Sequence, residues 1–135
     1  MNNLAQGTAI LVIDDEESLR NTFQFFLQNQ GYTPVVTAAT FEEALRALHE
    51  QSFDLIVSDI ILGGHTGIDV LRRVREMGGT CPVVMITGYG SIDSAVQSIK
   101  LGAFDYVTKP LDFEKLLKII DNAAKLSNLT EENRS

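Results

Sequence analysis

The sequence predicts an α/β protein in which helices cover both faces of a parallel sheet. Two observations point to this fold class: short apolar, β-rich runs recur along the chain, and each is followed by apolar residues at helical spacing. Because parallel neighbours require crossover connections, five such strand–helix units predict five parallel strands. At 135 residues the chain has the length of one domain.

The first three units follow one another between residues 9 and 74. Residues 9–13 form a continuous apolar run, as expected of a strand buried on both faces, and the next helix stops at Gly31. Residues 35–36 form a weaker second strand and residues 55–57 a third. Apolar stripes predict the three helices: Leu19, Phe23, Phe26 and Leu27; Phe41, Ala44, Leu45 and Leu48; Ile68, Leu71 and Val74.

The last two units complete the predicted sheet. Residues 83–86 form the fourth strand, Gly102 ends the helix behind it, and residues 104–107 form the fifth strand. Their helices carry the stripes Ile92, Ala95, Val96 and Ile99, and Phe113, Leu116, Leu117 and Ile120. We predict a tail at residues 1–7 and one folded domain at residues 8–126. Residues 127–135 are polar and charged, and are either a frayed terminus or the start of a linker to an output domain.

Composition excludes several function classes. The net charge of −7 argues against direct binding of nucleic acid, which requires clustered cations. No apolar run is long enough for a membrane span and no signal peptide is visible, so we expect a cytoplasmic protein without membrane contact. The single cysteine, Cys81, is interpreted as a buried small hydrophobe, since a catalytic thiol would need a partner histidine that the sequence does not suggest.

Polar residues gather where the predicted strands end. Asp14 and Asp15 follow the first strand, Asp59 the third, Thr87 the fourth and Lys109 the fifth. In open parallel sheets, ligands bind beyond these carboxyl ends. Taken singly, each residue has a structural interpretation as a helix cap, a turn residue or a solvated charge. Three carboxylates brought together would repel one another, however, and no structural role requires that.

A divalent cation would relieve this repulsion. Mg²⁺ prefers carboxylate and water oxygens and leaves positions open for a phosphoryl oxygen. A carboxylate beside the metal can attack phosphorus, and the resulting aspartyl phosphate needs partners for its oxygens. The Thr87 hydroxyl, the Gly88 backbone N–H and the Lys109 ammonium are available for this. The residues therefore predict a phosphoryl-transfer site with an aspartate acceptor.

Together these motifs resemble the receiver domain of response regulators in two-component signalling. The resemblance covers residues 8–126 and rests on Asp14-Asp15, Ser58-Asp59 with Gly67 eight residues later, Thr87-Gly88, and Tyr106-Val107-Thr108-Lys109-Pro110. It implies a flavodoxin-like (βα)5 three-layer sandwich with strand order 2-1-3-4-5. It also implies that a sensor histidine kinase phosphorylates Asp59.

The same resemblance implies a role for each residue at this edge. Mg²⁺, or Mn²⁺ in its place, would be held by Asp14, Asp15, Asp59 and the backbone carbonyl of Ile61. The phosphoryl group would be bound by Thr87, Gly88 and Lys109, and the switch residues would be Thr87 and Tyr106. The Lys109–Pro110 peptide bond would be cis. The domain would be a phosphoacceptor rather than an enzyme, one that takes part in its own phosphorylation and slow autodephosphorylation.

Residues 85–90 and 102–106 are most similar to receivers of nitrogen-regulation-type transcriptional activators. That similarity implies an output module, attached or separate, that activates transcription. We also expect homodimerisation on phosphorylation, through the face of the fourth helix, fifth strand and fifth helix or through the stripe of the fifth helix. That stripe, which also fits an ordinary amphipathic helix, is formed by Leu116, Ile119, Ala123 and Leu126.

Two features bear on the loop after Asp59. Family members usually have proline four residues after the acceptor, whereas this chain has Gly63, followed by Gly64 and His65. We interpret His65 as an exposed loop residue, the alternatives being a phosphodonor or a metal ligand. The resemblance places Ile61, and Tyr89 two residues after Thr87, beside the path of the water that would hydrolyse the aspartyl phosphate. Both are bulky and lack a group to orient water, which predicts a long-lived phosphoryl group. The alternative is that Tyr89 points into solvent and Ile61 packs against the loop.

Three other functions fit parts of the pattern. A haloacid-dehalogenase-type phosphatase would need a second aspartate as general acid at the position of Ile61. A flavin or nucleotide module would need a glycine-rich phosphate loop after the first strand, where this chain has acids. A degenerate receiver that signals only through protein contacts would not need the intact acidic cluster, Thr87 and Lys109. The sequence favours the phosphorylatable switch.

Overall fold

A five-stranded parallel sheet forms the centre of the computed structural model, which describes residues 7–88 and 92–134. Its strands, in chain order, are β1 (Ile10–Ile13), β2 (Val35–Ala38), β3 (Leu55–Asp59), β6 (Val83–Thr87) and β7 (Asp105–Thr108). Across the sheet they lie in the order β2-β1-β3-β6-β7. Between β3 and β6, β4 (Ile61–Leu62) and β5 (His65–Thr66) form a separate antiparallel hairpin. Apart from that hairpin, the strand order is the predicted 2-1-3-4-5.

Five helices flank the sheet: α1 (Glu17–Asn29), α2 (Phe41–Glu50), α3 (Gly67–Glu76), α4 (Ile92–Lys100) and α5 (Phe113–Arg134). Every residue of β1, β3 and β6 is buried, because helices cover both faces of these strands. One buried cluster joins the sheet to α1 and α5, and a second joins the other face to α2 and α3. The predicted α/β class and three-layer arrangement are therefore confirmed.

The structure differs from the prediction at several element boundaries and in one added hairpin. The β4–β5 hairpin was not predicted, because strands of two residues are too short to show a period. The last strand begins one residue later than predicted, at Asp105. Helix α5 continues to Arg134, across the predicted domain limit at residue 126, although residues 127–134 carry no apolar stripe. Residues 1–6 of the predicted tail lie outside the described residues.

The stripe predicted on α5 is used inside the domain. Leu116 and Ala123 are fully buried in the cluster beneath α1 and α5, and Ile119 packs against that cluster. Only Leu126 is exposed, at 49%. The stripe therefore belongs to an ordinary amphipathic helix packed on its own sheet, and the alternative of a dimer seam through it is wrong. Within the residues that the structure describes, no helix could cross a bilayer.

Candidate functional site

The register of the parallel strands brings four polar residues to one edge of the sheet. Asp59 and Thr87 are the last residues of β3 and β6, and Asp14 and Lys109 directly follow β1 and β7. Backbone hydrogen bonds extend the ladder past the strand ends: the Asp14 N–H donates to the Ala38 carbonyl at 3.1 Å, and the Lys109 N–H to the Thr87 carbonyl at 2.9 Å. The site is thus built on the most rigid part of the fold.

Three carboxylates meet at this edge. One oxygen each of Asp14, Asp15 and Asp59 lies within 4.8 Å of the others, with Asp14 and Asp59 buried and Asp15 exposed. Lys109 Nζ lies 2.9 Å from Asp59 Oδ2 and 3.8 Å from Asp14 Oδ2. Burial opposes the charge of Lys109, but the hydrogen bond and the charge of Asp59 outweigh it and raise the pKa of Lys109. Lys109 is therefore a firmly charged ammonium beside two buried acids.

Asp14 is the most constrained of the three acids. Its Oδ1 accepts a hydrogen bond from the Glu16 N–H at 2.8 Å, whereas its buried Oδ2 accepts none from the described residues. Burial, and then the neighbouring Asp59 charge, raise the pKa of Asp14 to about 6, although the Glu16 N–H and Lys109 lower it. A buried carboxylate oxygen without a donor is costly. A divalent cation at this oxygen would satisfy it, so the cluster fits a hard cation such as Mg²⁺.

The Asp59 carboxylate is held from two sides. The Ile61 N–H of the hairpin donates to Asp59 Oδ1 at 3.0 Å, and Lys109 Nζ donates to Oδ2 at 2.9 Å. The Asp59 side chain is nearly buried, with 9% of its surface exposed. Two donors orient the Asp59 carboxylate, which lies beside further acids at the edge of the sheet. This arrangement suits attack on an electrophile that is bound to a cation.

Gly67 begins α3 directly beneath the acceptor. Its N–H donates to the Ile60 carbonyl at 2.7 Å, and a Cβ there would lie 2.7 Å from the Asp59 carbonyl oxygen and 2.8 Å from Met85 Sδ. The preceding Thr66 caps the helix, forming a capping box with Asp69. The glycine eight residues after Asp59 is therefore required by close backbone packing.

The loop between Asp59 and α3 follows a path that its glycines permit. Gly63 has φ +64°, a conformation closed to proline, whose ring fixes φ near −65°. His65 is half-buried rather than exposed: its ring stacks on Phe41 with centroids 4.1 Å apart. The interpretation of His65 as an exposed loop residue is therefore wrong, because the tight turn at Gly63 directs the chain back onto α2.

The remaining predicted residues lie nearby. Thr87 is fully buried, and its hydroxyl donates to the Gly88 carbonyl at 3.3 Å. Tyr106 is half-buried and packs against the cluster beneath α2 and α3. Ile61 is 57% exposed. Tyr89 lies outside the described residues, and the Lys109–Pro110 peptide bond is cis.

Two contributions at this site were missed from the sequence. The Arg20 guanidinium donates to the Asp14 carbonyl at 2.8 Å and so ties α1 to the end of β1. The Ile61 N–H orients Asp59, as described above. In the sequence, Arg20 looks like any solvated charge on a helix. The hydrogen bond of a backbone amide does not depend on residue type, so the sequence pointed to neither contact.

Comparison with known proteins agrees with this geometry. The profile of the response regulator receiver domain matches residues 10–121. The chain is 37% identical over 126 residues to a putative NtrX-like response regulator of Rickettsia conorii, covering 92% of this chain and 26% of that protein. It is 38% identical over 122 residues to the transcriptional regulatory protein ZraR of Klebsiella oxytoca, covering 90% and 27%. It therefore spans about a quarter of the length of these curated relatives.

A solved structure shares the whole fold. A response regulator receiver domain protein from Clostridium thermocellum matches with a TM-score of 0.85 at 34% identity, over 91% of this chain and 98% of that one. The strand order and this structural match confirm the fold expected from the sequence. The similarity to NtrX-like regulators confirms the subclass resemblance. The chain belongs to the response-regulator receiver family.

Proposed function

We propose that this domain is a phosphorylation-dependent switch in which Asp59 accepts a phosphoryl group from a sensor histidine kinase. An Asp59 carboxylate oxygen attacks phosphorus, the P–N bond to the kinase histidine breaks, and the imidazole leaves with the bonding electron pair. The observation that carries this proposal is the orientation of Asp59 between the Ile61 N–H and Lys109, at 3.0 and 2.9 Å. The domain is a phosphoacceptor rather than a turnover enzyme, and it returns slowly to its unphosphorylated form.

We assign the metal-binding role to Asp14, Asp15, Asp59 and the backbone carbonyl of Ile61. The clustered carboxylate oxygens, and an Asp14 Oδ2 that accepts no hydrogen bond from the described residues, support this assignment. Mg²⁺, with Mn²⁺ as a substitute, would neutralise charge on the phosphoryl group as it is transferred. Burial keeps Asp14 and Asp59 fixed for this purpose, whereas the exposed Asp15 faces solvent.

We propose that three groups bind the oxygens of the phosphoryl group on Asp59: the Thr87 hydroxyl, the Gly88 N–H and the Lys109 ammonium. The Thr87 hydroxyl bonds the Gly88 carbonyl at 3.3 Å, a long contact that a charged phosphoryl oxygen would outcompete. A Cβ at Gly88 would meet nothing within 4 Å, so a ligand can approach the backbone there. The Lys109 ammonium already contacts Asp59, so a small shift would bring it to a negatively charged oxygen of the phosphoryl group.

Switching is assigned to Thr87 and Tyr106. Inward movement of Thr87 would change the packing of the half-buried Tyr106 and with it the face formed by α4, β7 and α5. Such a shift is driven only by the difference in phosphoryl affinity between the two states. On that face, α4 and the residue after it expose the apolar side chains Val96, Ile99 and Leu101. We therefore place homodimerisation on phosphorylation at this face, to be measured by light scattering with and without a phosphoryl donor.

The output of the switch is assigned to transcription. The relatives include proteins named as transcriptional regulators, and the matched segment covers only about a quarter of their length. We propose that residues 127–135 lead toward an output module, attached or separate, which the domain at residues 8–126 regulates. With a net charge of −7, the domain itself is not assigned a nucleic-acid contact.

Intact-mass spectrometry with acetyl phosphate tests the acceptor. The wild-type domain should gain one phosphoryl group with Mg²⁺ and none with EDTA, and Asp59→Asn should gain none. Asp93→Asn is the matched control, since Asp93 is an exposed acid in the first turn of α4 and is not one of the three clustered carboxylates. Undiminished labelling of Asp59→Asn would refute the assignment.

A further inference from the structure

The β4–β5 hairpin supplies a hydrogen bond to the acceptor and is anchored through β4, where Leu62 is buried in the cluster beneath α2 and α3. Each of its strands has two residues, and an isolated hairpin is marginally stable in water. Its tip is formed by Gly63 and Gly64, and a Cβ at either would meet nothing within 4 Å. The tip is therefore unpacked as well as conformationally free. Leu62 anchors β4 and Thr66 caps α3, so a further contact next to the tip would restrain the freedom that the hairpin still has.

His65 provides that contact. Its ring lies nearly parallel to Phe41, the first residue of α2, with centroids 4.1 Å apart and an interplanar angle of 17°. Its Nε2 lies 3.5 Å from Glu42 Oε1 and its Nδ1 3.7 Å from Asp69 Oδ2, both long for hydrogen bonds. The stacked ring is therefore the main contact, since 4.1 Å is a short centroid separation for a ring pair, and the carboxylates on either side only flank it.

The register of the hairpin connects this contact to the acceptor. His65 pairs with Leu62, and the adjacent pair is Thr66 with Ile61. Ile61 is the residue whose N–H donates to Asp59 Oδ1. With Leu62 buried, loosening of β5 from α2 would reach the Ile61 amide through these two pairs and weaken its hydrogen bond to Asp59.

We propose that His65 is a positioning residue: by stacking on Phe41 it fixes the hairpin and keeps the Ile61 N–H on Asp59. The proposal rests on the acceptor role of Asp59. The proline that is usual at the position of Gly63 would restrict the loop backbone, whereas Gly63 and Gly64 leave it free. The stacking of His65 supplies the missing restraint. The histidine acts on the reaction through the hairpin backbone and does not touch the reacting atoms.

Two measurements on the same variants test this role. One is hydrogen exchange of the Ile61 amide in metal-free protein, and the other is the initial rate of phosphorylation by acetyl phosphate with Mg²⁺. An aromatic pair contributes on the order of 1 kcal/mol, so His65→Ala should speed exchange and slow phosphorylation by about fivefold each. His65→Phe, which keeps the stacked ring, should stay within about twofold of wild type. His49→Ala, at the other histidine, on the exposed end of α2, should change neither.

A double-mutant cycle locates the effect. Phe41→Leu removes the ring but keeps an apolar side chain against the core, and its effect should not add to that of His65→Ala. Unchanged Ile61 exchange in His65→Ala, or a His65→Phe variant as impaired as His65→Ala, would overturn the proposal. If wild-type protein is not labelled at Asp59, the acceptor assignment fails, whereas the exchange measurement still decides whether His65 holds the hairpin.

Discussion

Replacing Asp14 with asparagine should stabilise the metal-free domain. Asp14 is fully buried, its Oδ2 accepts no hydrogen bond from the described residues, and its pKa is raised to about 6. Asparagine has the same shape and keeps an oxygen to accept the Glu16 N–H bond that Asp14 Oδ1 accepts at 2.8 Å. Its amide nitrogen can donate toward Asp59. The substitution therefore removes a buried charge that Lys109, 3.8 Å away, compensates only in part, and leaves the geometry in place.

The size of the effect follows from proton linkage. The pKa of Asp14 rises from 3.8 unfolded to about 6 folded. Two pKa units correspond to about 3 kcal/mol. The pKa of Asp14 is higher in the folded than in the unfolded protein. The free-energy cost of burying its charge is therefore absent below pH 3.8, grows as the pH rises toward 6, and is fully present above pH 6. Asp14→Asn should gain about 3 kcal/mol at pH 8 and about 1 kcal/mol at pH 4.5.

Thermal unfolding in EDTA at these two pH values measures this gain. About 3 kcal/mol corresponds to a rise in Tm of about 10 °C for a domain of this size. Asp15→Asn is the control, because Asp15 is exposed, and it should change stability by less than about 0.5 kcal/mol. Added Mg²⁺ should stabilise wild type more than Asp14→Asn. An Asp14→Asn protein no more stable than wild type at pH 8, or a gain independent of pH, would refute the reasoning.

Three further substitutions probe the surroundings of the acceptor. Gly67→Ala should cost about 2 kcal/mol in urea unfolding, because the Cβ meets the Asp59 carbonyl oxygen at 2.7 Å, whereas Gly64→Ala, in open space, should cost little. Thr87→Ala should keep acetyl phosphate labelling but weaken the beryllofluoride-induced chemical-shift changes of α4; equal changes would contradict the proposed switch. Ile61→Asn should shorten the phosphoryl lifetime several-fold in Mg²⁺ buffer, since an amide can orient water. An unchanged lifetime would remove Ile61 as a shield.

The sheet edge was predictable because strand ends follow directly from hydrophobic pattern. Each buried run stops at a polar residue, and parallel register then requires Asp14, Asp59 and Thr87 to lie side by side. No comparable rule applies to the hairpin: its two-residue strands have no period, and its turn depends on a positive φ at Gly63. The stacking of His65 on Phe41 joins elements distant in sequence through side-chain geometry, which residue type alone does not reveal.

The two oxygens of Asp59 are tied to different parts of the fold, and this gives the proposed switch its direction. Oδ1 is held by the hairpin through Ile61, and Oδ2 by Lys109, which directly follows β7. In an aspartyl phosphate the oxygen bonded to phosphorus would be the bridging oxygen of an acyl phosphate and a poorer acceptor, so its donor would turn toward the phosphoryl oxygens. Tyr106 lies on β7, three residues before Lys109, so a shift of the ammonium would reach the proposed switch aromatic through one short strand. In the proposed switch, phosphorylation would thereby act on the α4–β7–α5 face.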